Sequence, residues 1–405
     1  ALMLPSRLSA QEAEQPRDEQ PGEIIVTAGK REQALSDVPA SVVAFDQARL
    51  ELLGAQDATA LLGRVAGLSV ETSQPGFSRF VIRGVNAGGQ FGWRQGSATG
   101  IYLGDTPLTT RANFFFASPD INLFDMDRIE VLRGPQGTLF GAAAIGGAIR
   151  AMPNAADPTR LAMTGEAELS GTQGAGAPNY AVRAMANIPL IDDRAAIRLV
   201  ADYNRMDGFI DAILIGTQDY IAERPTAPRI ANYNDSERLN LRASGYVQLA
   251  DNVVAEPSLT YMRNRAGGAG DFALNTLRDQ GRATVFARNP VFDATGAPYE
   301  FVRDEFVVGA LSLTASFDWL GGIDLVSATA YQSRNAAARD DTVAANGSWV
   351  VGFGFDEDYL GLDPSFADFR TNVSQFTQEL RLVTTGSQRF QMVAGLYFGA
   401  IRQID

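Results

Sequence analysis

The side chains that carry most protein chemistry are missing from this sequence. Its 405 residues include no histidine and no cysteine. That removes the imidazole base, the thiol nucleophile, the disulfide framework and the zinc finger together. A metal site would have to be built from carboxylates, which suit calcium or magnesium. Carboxylate pairs able to do acid–base work stand at Asp340-Asp341 and at Asp356 with Asp358. Both pairs read as loop residues, where such charges are ordinarily solvated or hold calcium. The expectation is therefore a protein that is not an enzyme, with no catalytic residue, no resident metal and no cofactor.

Glycine clusters are the next candidates. Gly134-Pro135-Gln136-Gly137, Gly141 and Gly146-Gly147 suggest a phosphate cradle, but no Lys-Ser/Thr follows, which excludes a P-loop. The strand, turn and helix spacing of a dinucleotide fingerprint is also missing. These glycines are read as tight turns. A net charge of -13 argues against a nucleic-acid partner, because phosphate binding needs a basic footprint.

The elements that would position such residues change character along the chain. The first ten residues read as the tail of a secretory signal peptide. Gln11 to Gly22 lacks any apolar side chain larger than alanine and reads as a disordered leader. Glu23-Ile24-Ile25-Val26-Thr27-Ala28 is a short β-branched run. It is either the first strand of a folded sheet or a strand kept free to pair with a partner's sheet edge. Its few backbone bonds, each worth about 0.5–1.5 kcal/mol net, suit reversible coupling. Residues 29–153 read as one mixed α/β domain. Short helices are expected over Asp46 to Leu53 and Asp57 to Gly63, with Asp57 as N-cap. Strands are expected near Phe80, Gly100 and Ile129, each ending at a turn.

Residues 154–405 alternate. From Arg238 to Leu249 the odd positions are apolar or small and the even ones are Arg, Asn, Arg, Ser, Tyr and Gln. Similar segments near 162–172, 179–190, 195–207, 253–265, 305–319, 323–336, 374–384 and 389–402 bring the expectation to about nine strands. Each is long enough to cross a bilayer obliquely. Aromatics at Tyr180, Tyr203, Phe209, Tyr261, Phe317, Trp319 and Tyr331 would form interfacial girdles. Short connections alternate with long ones near 208–236, 266–304 and 340–372, the asymmetry of an outer-membrane barrel. A closed nine-strand barrel would have no room for the preceding domain, so a wider barrel of about 22 strands is expected for the whole protein.

Two stretches, Glu23 to Ser69 (EIIVTAGKREQALSDVPASVVAFDQARLELLGAQDATALLGRVAGLS) and Ile129 to Ile149 (IEVLRGPQGTLFGAAAIGGAI), join with Phe80-Val81-Ile82-Arg83-Gly84 and Gln378-Glu379-Leu380-Arg381-Leu382. Together they closely resemble TonB-dependent outer-membrane receptors. The resemblance implies a mixed α/β plug domain followed by antiparallel transmembrane β-barrel strands in the outer membrane of a Gram-negative bacterium. It implies that Glu23, Ile24, Ile25, Val26, Thr27 and Ala28 are the TonB box, which pairs with the periplasmic domain of TonB. It implies that Arg83 and Arg133 latch the plug to acidic groups on the barrel wall, with Glu379 as candidate partner; the alternative is that both arginines face water. Phe91, Trp93, Arg94, Arg111, Phe114 and Phe115 lie in loops that would meet an extracellular ligand. The partners implied are TonB, outer-membrane lipid and a small ligand such as a ferric chelate. The function implied is energised uptake of a scarce nutrient, a ferric siderophore or similar chelate. A passive channel, a ligand-binding surface protein and a glycan or other organic-nutrient importer are the alternatives. The leader as given is too short to fold alone, which disfavours the signal-transducing subclass.

Overall fold

The computed structural model describes residues 24–53, 58–74, 77–85, 98–109, 118–119, 121–141, 144–214, 229–267, 277–279, 282–287, 301–320, 322–341, 366–385 and 391–404. The chain opens with a small antiparallel hairpin, β1 (Ile25–Val26) against β2 (Gln33–Ala34). Next come β3 (Ser41–Asp46), α1 (Gln47–Leu53), α2 (Ala58–Leu62), β4 (Leu68–Gln74), β5 (Phe77–Ile82) and β6 (Thr99–Leu103). They are followed by β7 (Thr106–Pro107), β8 (Ser118–Pro119), β9 (Met126–Arg133), α3 (Gly137–Phe140) and β10 (Gly147–Pro153). The start of α1 is capped by Asp46, whose Oδ1 accepts the Arg49 backbone N–H at 2.9 Å. The expected cap Asp57 lies outside the described residues.

The central sheet runs β3-β9-β10-β6-β7, with β10 parallel to β6 and antiparallel to β9. Alternation gives it two different faces. Ile101, Ile129, Val131 and Ile149 turn to one side and pack with Leu61, Leu62, Phe80 and Ile82. Tyr102, Leu132 and Ala148 turn to the other and pack with Val26, Ala28 and Phe140. Covering both faces explains why these strands read as near-continuous apolar runs. The second face also carries Arg128, Glu130 and Arg150, with Arg150 directly opposite both Glu130 and Tyr102 in register.

The second half begins with β11 (Ala162–Ser170), β12 (Asn179–Ile191), β13 (Ala195–Met206), β14 (Ile210–Leu214), β15 (Arg229–Ile230), β16 (Ser236–Ala250) and β17 (Val253–Gly267). It continues through β18 (Leu277–Asp279), β19 (Arg282–Ala287), β20 (Phe301–Phe317), β21 (Ile323–Asp341), β22 (Phe366–Thr384) and β23 (Val393–Ile404). Nine of these strands, β11, β12, β13, β16, β17, β20, β21, β22 and β23, pair in that order into one antiparallel sheet. Its polarity is inside out relative to a water-soluble fold. Arg183, Arg198, Arg242 and Gln375 are buried on one face, while Leu199, Leu241, Leu259, Leu380 and Leu382 are exposed on the other. An apolar exterior with a polar interior is what a lipid-embedded barrel wall requires. Phe306 and Val308 of β20 join the core of the first domain, so that domain sits against the inner wall.

Three details depart from the sequence reading. The strands run further toward the long connections, and β21 and β22 each reach 19 residues. A bilayer needs only about 9–11 tilted residues, so these strands project beyond it. Asp340-Asp341 accordingly end β21 and pair in register with Ala367 and Phe366, rather than lying in a loop; Asp356 and Asp358 lie outside the described residues. Finally, two of the long connections are joined by a small four-stranded sheet in the order β15-β14-β19-β18, with β14 parallel to β19.

Candidate functional site

The run Ile24 to Ala28 is docked. Of the two readings of this run, a strand of the folded domain or a strand kept free, the structure has it as half of the β1–β2 hairpin, fixed to the central sheet; Glu23 lies outside the described residues. Val26 is fully buried and Ala28 nearly so. Between them Thr27 meets three charged residues of the second sheet face. Its backbone N–H donates to Glu130 Oε1 at 2.7 Å, and its hydroxyl donates to the same oxygen at 3.2 Å. Arg150 Nη1 donates to the Thr27 carbonyl at 2.6 Å, and Arg128 Nη2 to the Thr27 hydroxyl at 3.1 Å. The physical reason for the docking is that sheet face: it presents a buried acid and two arginines whose remaining valences the peptide fills.

Three residues further on, Lys30 ties the same segment to both halves of the molecule. It is the only lysine in the sequence, and its side chain is 3% exposed. Its ammonium contacts Asp105 Oδ1 at 3.0 Å and Glu379 Oε2 of the wall at 3.1 Å, and lies 5.1 Å from the Phe140 ring centroid. Asp105, in the turn between β6 and β7, also meets Arg150 at 3.3 Å and Arg381 of β22 at 2.7 Å. Arg381 closes the circuit on Glu379 at 3.1 Å. Arg150 reaches Glu130 at 2.9 Å, so one connected set of charges runs from Thr27 to the barrel wall. Burial opposes ionisation of Asp105, but Lys30, Arg381 and Arg150 outweigh it and hold its carboxyl below the usual carboxylate range. Glu130 is likewise held down, with Arg150, the Thr27 N–H and Arg128 overcoming its burial.

A second clasp lies at Asp125, in the turn before β9. Its carboxylate is gripped by Arg198 of β13 and by Arg242 Nη2 of β16, the latter at 2.6 Å. Arg242 Nη2 also donates to the Asp125 carbonyl at 2.8 Å, and Asn154 Nδ2 donates to its carboxylate at 3.0 Å.

Of the expected latch, Glu379 is in place and the two arginines are not. Arg83 and Arg133 remain on the first domain. Arg133 Nη1 donates to the Ala66 carbonyl at 3.0 Å, and the exposed Arg83 lies along Gly67 and Gly134. Among the described residues neither makes an ion pair. Both stand at strand ends, Arg83 with a positive φ of 52°. The residues that do clasp the wall are Lys30, Asp105 and Asp125. A sequence signal existed for Lys30, a solitary lysine just after the β-branched run. The two aspartates owe their role to distant strands and carry no local mark. Phe91, Trp93, Arg94, Arg111, Phe114 and Phe115 lie outside the described residues. Among the described residues no cluster of acidic side chains could hold a metal ion.

A globular α/β domain clasped by buried ion pairs to the polar inner face of a transmembrane antiparallel sheet defines a plugged outer-membrane barrel. The family described as TonB-dependent Receptor Plug Domain matches residues 34–148. Residues 34–148 therefore carry a TonB-dependent receptor plug domain, and nine antiparallel barrel strands follow it. It is 32% identical to the pesticin receptor of Yersinia pestis over 162 residues, 39% of this chain and 22% of that protein. It is 30% identical to the vitamin B12 transporter BtuB of Vibrio vulnificus over 136 residues, 33% of this chain and 21% of that protein. In fold it is similar to the ferric yersiniabactin uptake receptor FyuA from Yersinia pestis, with TM-score 0.64 and 18% identity, covering 90% of this chain and 49% of that one. The siderophore receptor PiuA from Acinetobacter baumannii gives 0.59 and 16%, covering 92% and 46%. The chain thus spans about half the length of these solved receptors.

Proposed function

We propose that this protein imports a scarce nutrient, a ferric siderophore or similar chelate, through an outer-membrane barrel whose plug is released by force from TonB applied at Glu23 to Ala28. The observation that carries this reading is the continuity of contacts at that segment. Thr27 is bonded to Glu130 and Arg150, and Lys30 bridges Asp105 and Glu379. A pull on the segment therefore acts directly on the ion pairs that seat the plug.

The chemistry required is mechanical and electrostatic, with no covalent step. At rest, Val26 and Ala28 are buried and the box is unavailable to a partner strand. Opening the β1–β2 hairpin frees one strand edge for pairing with another sheet. Drawing Thr27 outward then leaves Glu130 and Arg150 short of partners, and drawing Lys30 outward removes one cation from the Asp105 and Glu379 pair. Removing one partner of a buried ion pair costs about 3–5 kcal/mol. A clasp that is stable at rest is thereby weakened as its own tether leaves.

The ferric-chelate assignment is supported by the likeness to receptors described as taking ferric yersiniabactin and siderophores. Deletion of Glu23 to Ala28 in the full-length receptor tests the reading. Uptake should cease while ligand binding at the cell surface persists. A passive channel or a surface-binding protein predicts uptake, or its lack, to be unaffected by the deletion and by proton uncouplers.

A further inference from the structure

The two clasps differ in their charge balance. Around Asp105 the cations Lys30, Arg128, Arg150 and Arg381 face the anions Asp105, Asp127, Glu130 and Glu379, four against four. At Asp125 two guanidiniums, Arg198 and Arg242, share one carboxylate, and among the described residues neither meets a second acid within ion-pair distance. Both arginines are more than nine-tenths buried. A buried unbalanced cation is costly, and one carboxylate balances only one of the two guanidiniums.

The surroundings hold further unused donors. Arg242 Nε and Ser244 Oγ are buried without a hydrogen-bond partner. Ser244 stands opposite Arg198 in register. Arg242 and Ser244 both border a cavity of about 240 Å³ between plug and wall. Glu256, Asp105 and Glu379 border the same cavity and Arg198 does not; among the described residues none of the three acids makes an ion pair with Arg242. On rigid neighbouring strands there are therefore two guanidiniums, a hydroxyl and an adjacent space. Planar guanidinium forks recognise carboxylate and phosphate oxygens in this way.

We infer that Arg198 and Arg242 form an oxyanion-binding site on the inner wall of the barrel, which Asp125 occupies while the plug is seated. When the turn carrying Asp125 withdraws, the site passes to an oxyanion of the transported solute, a carboxylate or phosphate oxygen. Asp125 thus acts as an internal stand-in that keeps the site filled at rest. The site lies near the short-turn end of β13, three residues beyond its first residue, Ala195, so it would serve late in passage rather than in first capture.

The test uses the full-length receptor in detergent with inorganic phosphate as probe, at constant ionic strength and pH 7. Asp125→Ala empties the site, and phosphate should raise the thermal midpoint of this variant in a saturable manner. The unsubstituted receptor, whose site is filled, should show no such rise, and the Asp125→Ala, Arg198→Gln, Arg242→Gln triple variant should lose it. If Asp125→Ala does not fold, Asp125→Gly, which suits the positive φ of 58° at this position and also empties the site, gives the same readout. Absence of a phosphate response in the single variant, or an equal response in the triple variant, would overturn the inference. The response requires no TonB, so its outcome is separate from that of the box deletion.

Discussion

Arg381 of the barrel wall donates from Nη2 to Oδ2 of Asp105 in the plug at 2.7 Å, across 276 positions of sequence. The other oxygen of the same carboxylate holds Lys30, three residues after Thr27. The wall, the plug turn and the segment that leads into the plug therefore meet at one side chain. Under the proposed function, tension at the N-terminal segment acts on the plug's hold on the wall through this meeting point.

Removing the Asp105 charge should release the plug more than removing any single cation around it. Asp105→Asn leaves Lys30, Arg150 and Arg381 facing one another with a neutral amide, at a cost of about 3–5 kcal/mol. The expected readout is greater protease sensitivity of the plug in the intact receptor. Combining it with Lys30→Gln should recover part of the loss, since the pair is coupled. Additive losses would argue against a shared clasp.

Thr27→Val keeps the shape and removes the hydroxyl. Arg128, Arg150 and Glu130 each lose a partner, for about 1–3 kcal/mol. Hydrogen exchange at Ile24 to Ala28 should quicken by roughly five- to hundred-fold, with the nine-strand sheet unchanged. An unaltered rate would mean that the hydroxyl contacts contribute nothing to docking.

The arginines of the glycine motifs should be nearly dispensable for seating. Arg133→Gln and Arg83→Gly leave every ion pair to the wall intact, and glycine suits the positive φ at position 83. Changes within about 0.5 kcal/mol are expected, measured as plug protease sensitivity beside Glu379→Gln, which should be markedly worse. A loss at Arg83 or Arg133 equal to that at Glu379 would restore the latch first expected from the sequence.

These outcomes follow from which parts of the fold the sequence makes legible. Alternation is a local signal, so the nine barrel strands and the inward direction of Glu379 could be read from residues such as Arg238 to Leu249. Register then placed Arg381 beside Glu379 on that face. The plug side of the clasp could not be read this way. Arg83 and Arg133 sit in conspicuous glycine motifs but bend back onto Gly67, Gly134 and Ala66. Asp105 and Asp125 are unremarkable turn aspartates until β13, β16 and β22 arrive from far along the chain. The parallel pairing of β14 with β19 joins two connections with no alternation to announce it.

The pH response has a definite sign. Asp105 and Glu130 have carboxyls held below their ordinary values. Their contribution is therefore complete above the unfolded carboxylate range, near pH 4, and is lost as pH falls through the lower folded values. Exchange protection of Ile24 to Ala28 should stay flat from pH 7 to about 5 and decline only below about 4. Loosening between pH 7 and 5 would indicate a different set of contacts.

Lys30 supplies the most direct measurement of the whole account. As the sole amine side chain of this sequence, buried against Asp105 and Glu379, it can be followed by amine-reactive labelling with peptide-resolved mass spectrometry. In cells with ligand present, Lys30 should be protected when the proton gradient is collapsed and should become labelled when the gradient is intact. Equal labelling in the two conditions would contradict the claim that force on the TonB box withdraws Lys30 from the clasp.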